Sequence, residues 1–126
     1  MSVVRPVTDA TYREMVFSSR EPVLVAFMAE ADSSCRAMRP ILIDLARERA
    51  GRLSVTSVDV ATNPSLTHAW GITQVPTLLL FHRGVMQRVL RGVRPYARLV
   101  QEIDEMPVSQ VRYAALLDGG DDLLAP

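Results

Sequence analysis

The chain contains no lysine: its 14 basic residues are all arginine and are balanced by 14 acidic ones, for a formal net charge of zero. Without a lysine amine there is no side chain for Schiff-base chemistry. Without net charge there is no field to draw the chain toward nucleic acid or an anionic membrane. There is one cysteine, Cys35, so no internal disulfide can form and nothing points to an oxidising compartment. The longest apolar stretches, residues 23–29 and 75–81, are far too short to span a bilayer. Met-Ser-Val-Val-Arg-Pro at the start has no charged opening followed by a sustained apolar run, so it reads as neither a signal nor a transit peptide. By elimination the expectation is a cytoplasmic protein with no membrane or nucleic-acid partner.

What is present suits one core: 126 residues, 48% of them hydrophobic, suffice for one ordinary domain and not for two. Val3 and Val4 read as an edge strand, and Thr8 and Asp9 offer an N-cap for a helix through Tyr12, Met15, Val16 and Phe17. Residues 23–29, a continuous apolar run containing Val23, Val25 and Phe27, have the pattern of a central strand covered on both faces. Asp32, Ser33 and Ser34 are helix-capping types, and Met38, Ile41, Leu42, Leu45 and Ala46 then recur at helical spacing. Pro40 predicts a kink in that helix, and Gly51 its end. Residues 53–60 alternate like a strand, and Asn63-Pro64-Ser65 opens a short helix ending near Trp70 and Gly71. A strand over 75–81, a turn at Arg83-Gly84 and a strand over 85–90 make a hairpin. Ala97, Leu99, Val100 and Ile103 mark a last amphipathic helix.

Several of these segments, in this order and at this spacing, resemble the thioredoxin family: residues 22–30, Cys35-Arg36, Pro40-Ile41-Leu42, and Val75-Pro76-Thr77 running on to Phe81 and Gly84. The resemblance covers most of the chain. It implies an α/β thioredoxin fold, a central mixed sheet flanked by helices, over residues 1–106, with 107–126 as a C-terminal extension. It also implies a cis peptide at Val75-Pro76 and a groove in which an extended peptide adds as a strand. The residues it places along that groove are Ala31, Ser33, Ser34, Val75, Pro76, Thr77, Gly92 and Val93.

The departures from the family pattern carry the functional information. Where the family has Trp-Cys-Gly-Pro-Cys, this chain has Ala31-Asp32-Ser33-Ser34-Cys35. Asp32 replaces the cysteine that attacks substrate, and only the resolving position keeps its thiol. The family's aspartate in the preceding strand is Ala26, and its lysine partner is Ser57. Cycling dithiol exchange needs one thiolate to attack and a second to release the mixed disulfide, so one thiol cannot turn over alone. A carboxylate at a helix start is a good cap, yet close to a thiol it favours the neutral form. A sluggish Cys35 is therefore expected, with Arg36 and Arg39 as partial offsets.

Two readings follow for Cys35: a small buried hydrophobe, or a residual thiol that forms mixed disulfides or senses oxidants. The first makes the chain a protein-binding or chaperone-like module that has lost disulfide reductase activity. The second makes it a single-cysteine oxidoreductase or redox sensor. His68 and His82 lie on different elements with no ligand pair at short spacing, so no metal is expected, and no cofactor. Trp70 and the methionines at 15, 28 and 38 read as packing residues. Ser109 could cap a short helix over 110–118 with Val111, Ala114, Ala115 and Leu117 on one face, before Gly119-Gly120 and an acidic end. That extension is a candidate for docking on a partner or a second copy.

Overall fold

The computed structural model describes residues 4–105. Five strands, β1 (Val4–Pro6), β2 (Val23–Met28), β3 (Ser54–Asp59), β4 (Thr77–His82) and β5 (Val85–Arg91), form one sheet in the order β1-β3-β2-β4-β5. Pairing is parallel for β1 with β3 and β3 with β2, and antiparallel for β2 with β4 and β4 with β5. Three α-helices, α1 (Ser33–Glu48), α2 (Pro64–Ala69) and α3 (Tyr96–Asp104), connect and flank the strands. This is the α/β architecture expected from the sequence, with β2 at its centre.

All six residues of β2 are buried because strand alternation sends them into two separate cores. Leu24, Ala26 and Met28 pack with Met38, Leu42 and Leu45 of α1 and Leu99 and Ile103 of α3. Val23, Val25 and Phe27 pack on the other face with Val7, Tyr12, Val16 and Leu66. Each fully buried large side chain contributes roughly 1.5–3 kcal/mol relative to leaving it exposed. A continuous apolar run is therefore the signature of the middle strand.

Several local expectations are revised. The first helix is a short π-helical turn, Arg13–Phe17, preceded by a turn in which Thr8 Oγ1 accepts from the Ala10 and Thr11 amides. Asp9 serves a different element: its carboxylate accepts from the Leu66 amide at 2.9 Å and the Ser65 amide at 3.4 Å, capping α2 from across the fold. Asn63, the residue just before α2, makes no side-chain capping bond; it accepts from the Asp9 amide and donates to the Asp59 carbonyl. Strand β4 begins at Thr77, so Val75 and Pro76 lie in the loop before it, joined by a cis peptide. Helix α1 runs through Pro40 unbroken. Ala97 is exposed, leaving Leu99 and Ile103 as the buried face of α3. The turn joining β4 to β5 has positive φ at both Arg83 and Gly84, as a two-residue hairpin of right-handed twist requires. The helix expected over 110–118, and the extension as a whole, lie outside the described residues.

Candidate functional site

Strand β2 ends at Met28 and the chain reaches α1 within four residues, so the start of α1 sits at the carboxyl end of the central strand. Antiparallel register places Thr77 beside Phe27, which brings the Val75-Pro76 loop alongside the same end. A further tie comes from the end of β5, where the Gly92 amide donates to the Pro76 carbonyl at 2.9 Å. Three separate segments thus converge around the first turn of α1.

Asp32 is the N-cap of α1: its backbone is extended (φ −82°, ψ 129°), and its Oδ1 accepts from the Cys35 amide at 3.0 Å. The carboxylate also faces the positive end of the helix dipole. Arg36 turns back over this loop, its Nη1 donating to the Ala31 carbonyl at 2.8 Å. The loop that carries an attacking cysteine in the family is therefore held by a capping carboxylate and an arginine clasp.

Cys35 is 0% exposed and belongs to the core on the α1 face. Its Sγ accepts from the Ala29 amide at 3.3 Å. Burial is the largest influence on the thiol and pushes its pKa up; the Ala29 N–H pulls it down, the Asp32 carboxylate pushes it up, and Arg39 pulls weakly down. The balance is a raised pKa, so the neutral thiol is the resting form. Of the two arginines expected to offset this, Arg39 acts on the thiol and Arg36 is committed to the Ala31 carbonyl.

Ala26 and Ser57 are direct register partners on β2 and β3, so the positions that the resemblance fills with an aspartate and a lysine lie side by side. Ala26 is fully buried and carries no proton. Ser57 lines a cavity of about 240 Å³ with Met28, Glu30, Arg39, Val58 and Asp59. The pair supplies no ionisable group to take or return the proton of Cys35.

The groove residues divide by exposure. Ala31, Ser33, Ser34 and Val93 are exposed, with Val93 at 45%, and Val75 and Gly92 are half-buried. Pro76 and Thr77 are buried, and the Thr77 hydroxyl donates inward to the Gln74 carbonyl at 2.7 Å. Pro76 and Thr77 are thus not exposed on the groove surface expected for them, and the Thr77 hydroxyl ties the start of β4 to the loop before it. His68 is exposed on α2 and His82 ends β4. Among the described residues no group of three or more His, Cys, Asp or Glu is placed to hold a metal ion. Trp70 packs edge-on against Phe81, ring centroids 5.2 Å apart. Sequence reasoning missed the Arg36 clasp and the Ala29 N–H on the sulfur, because both depend on how the loop folds back.

Among the described residues no helix is long and apolar enough to cross a membrane. Comparison with known proteins agrees with the architecture. The family model described as Thioredoxin matches residues 3–105. The chain is 37% identical over 100 residues to a thioredoxin of Mycobacterium bovis, covering 79% of this chain and 86% of that protein. It is 34% identical over 105 residues to thioredoxin 1 of Synechococcus elongatus, covering 83% and 98%. It is also 32% identical over 102 residues to the chloroplastic M-type thioredoxin of Pisum sativum, covering 81% and 59%. With the family model spanning residues 3–105 and these relatives in agreement, the chain belongs to the thioredoxin family.

Proposed function

We propose that this protein has lost dithiol disulfide reductase activity and binds extended segments of other proteins at the groove around the start of α1, as a chaperone-like module. The observation that carries this reading is the state of Cys35, the chain's one thiol: fully buried, hydrogen-bonded at its sulfur and held neutral beside Asp32. A neutral sulfur without access to solvent neither attacks a disulfide nor reacts readily with an oxidant. The exposed Ala31, Ser33, Ser34 and Val93 around Val75 leave a shallow surface that an extended backbone could join, a mode that needs no cysteine. A reducing, cytoplasmic setting suits a chain with one thiol.

The test compares the wild-type chain with Cys35→Ala in two assays. Insulin reduction driven by dithiothreitol should stay at background for both. Binding of unfolded or extended polypeptides, followed by isothermal calorimetry, should be equal for both and weakened by Val93→Asp. Reductase turnover above background would overturn the proposal. Loss of polypeptide capture in Cys35→Ala would instead favour a single-cysteine oxidoreductase or sensor.

A further inference from the structure

Phe17, Val85 and Met86 are 40%, 50% and 41% exposed, three of the four large apolar side chains so exposed among the described residues. They gather at one corner. A Cβ on Gly84 would lie 3.5 Å from Phe17 Cδ1, the Phe17 and Phe81 rings are 6.1 Å apart, and Phe81 is the register partner of Met86. Alternation along β5 sends Met86 to the face of Phe17 and Val85 to the opposite face, that of α1 and α3. β5 is the last strand of the sheet, so its outer edge has no strand partner among the described residues. The apolar surface therefore wraps around a free sheet edge, a feature that soluble proteins normally cover.

The chain itself arrives at this edge. After α3, the carbonyl of Glu105 accepts from Arg88 Nε at 3.4 Å and Nη2 at 3.2 Å, and Arg88 lies on β5 opposite Leu80. Two residues of strand, roughly 7 Å, separate Arg88 from Met86. From Glu105 the sequence continues to Pro126, and residues 106–110 alone can reach about 17 Å. Beyond them Val111, Ala114 and Ala115 recur in the sequence at helical spacing, followed by Asp118, Asp121 and Asp122. Arg83, next to the corner in the β4–β5 turn, is exposed and makes no ion pair among the described residues. Length, exit point, apolar pattern and charge all match.

We propose that residues 107–118 of this chain fold back across the outer edge of β5 and bury Phe17, Val85 and Met86, with the acidic end directed to Arg83. The segment closes the sheet edge against pairing with other chains. The corner lies at the far end of β4 from the Val75-Pro76 loop, about 20 Å away along a six-residue strand, so the peptide groove stays open.

The test uses the full chain in a Cys35→Ala background, with Ala114→Cys carrying a nitroxide spin label. The amides of Phe17, Val85 and Met86 should lose most of their intensity in the nuclear magnetic resonance spectrum, independently of dilution, while those of Val75 and Val93 keep theirs. Adding Val111→Asp and Ala115→Asp should restore the lost signals. Broadening that appears only when isotope-labelled and spin-labelled chains are mixed would overturn the proposal and assign the corner to a second copy. No broadening at the corner would overturn it outright. A parallel measurement without Cys35→Ala, hydrogen exchange of the otherwise unaltered chain against Val111→Asp with Ala115→Asp, should show faster exchange along β5; unchanged exchange would also overturn the proposal.

Discussion

Replacing Asp32 by Ala and by Asn separates the two things its carboxylate does. As a cap, Oδ1 takes the Cys35 amide at 3.0 Å, and losing such a cap costs about 1 kcal/mol. As a charge at the start of α1, it adds roughly 0.3–1 kcal/mol through the helix dipole. Asp32→Ala removes both, for an expected loss of about 1–2 kcal/mol. For a domain of this size each kcal/mol is about 4 °C in melting temperature. Asp32→Asn keeps an acceptor that caps as well as aspartate, so only the dipole contribution is lost, well under 1 kcal/mol at this half-buried site. The thiol responds differently: both substitutions remove the carboxylate that adds to burial in favouring the neutral form of Cys35, so both lower its pKa. Burial, the largest influence on the thiol, is untouched by either substitution. Urea denaturation measures the first effect, and the ultraviolet absorbance of the thiolate as a function of pH measures the second. If Asn costs as much as Ala, or if the thiol titration is unmoved in both, the account of the helix start is wrong.

The raised pKa of Cys35 carries a pH signature of its own. A group whose folded pKa exceeds its unfolded value contributes stability fully present below the unfolded value, here that of an ordinary thiol, and lost as pH rises through the folded one. Wild type should therefore lose stability relative to Cys35→Ala only in alkaline urea titrations; a neutral-pH crossover would contradict this. Asp9→Ala should cost about 1 kcal/mol and act on α2, speeding amide exchange at Ser65 and Leu66 more than at α1. Gly84→Ala should cost about 1–2 kcal/mol in chemical denaturation through its φ of +80° alone, since its Cβ would meet Phe17 at an ordinary 3.5 Å. Arg49 holds Asp104 through two bonds of 2.8 Å and lowers its pKa, so the pair's stability is present above the ordinary carboxylate range and lost as pH falls through the lowered value. Because Asp104 is half exposed, Asp104→Asn should cost under about 1 kcal/mol in urea at neutral pH and nothing measurable in strong acid.

The sequence by itself determined the element order, the central place of β2 and the missing second thiol. Each of these is written in local information: a run of six apolar residues, a helical stripe of Met38, Leu42 and Leu45, a capping Asp32 three residues before Cys35, and a count of one cysteine. The tertiary structure alone decided what depends on segments far apart in the chain. Asp9 caps α2 from more than fifty residues away, the Gly92 amide ties the end of β5 to Pro76, Ala26 lies beside Ser57 on the neighbouring strand, and the Ala29 amide reaches the buried sulfur. Periodicity and capping types describe a residue's neighbours along the chain, whereas the state of Cys35 is set by the neighbours that folding brings around it.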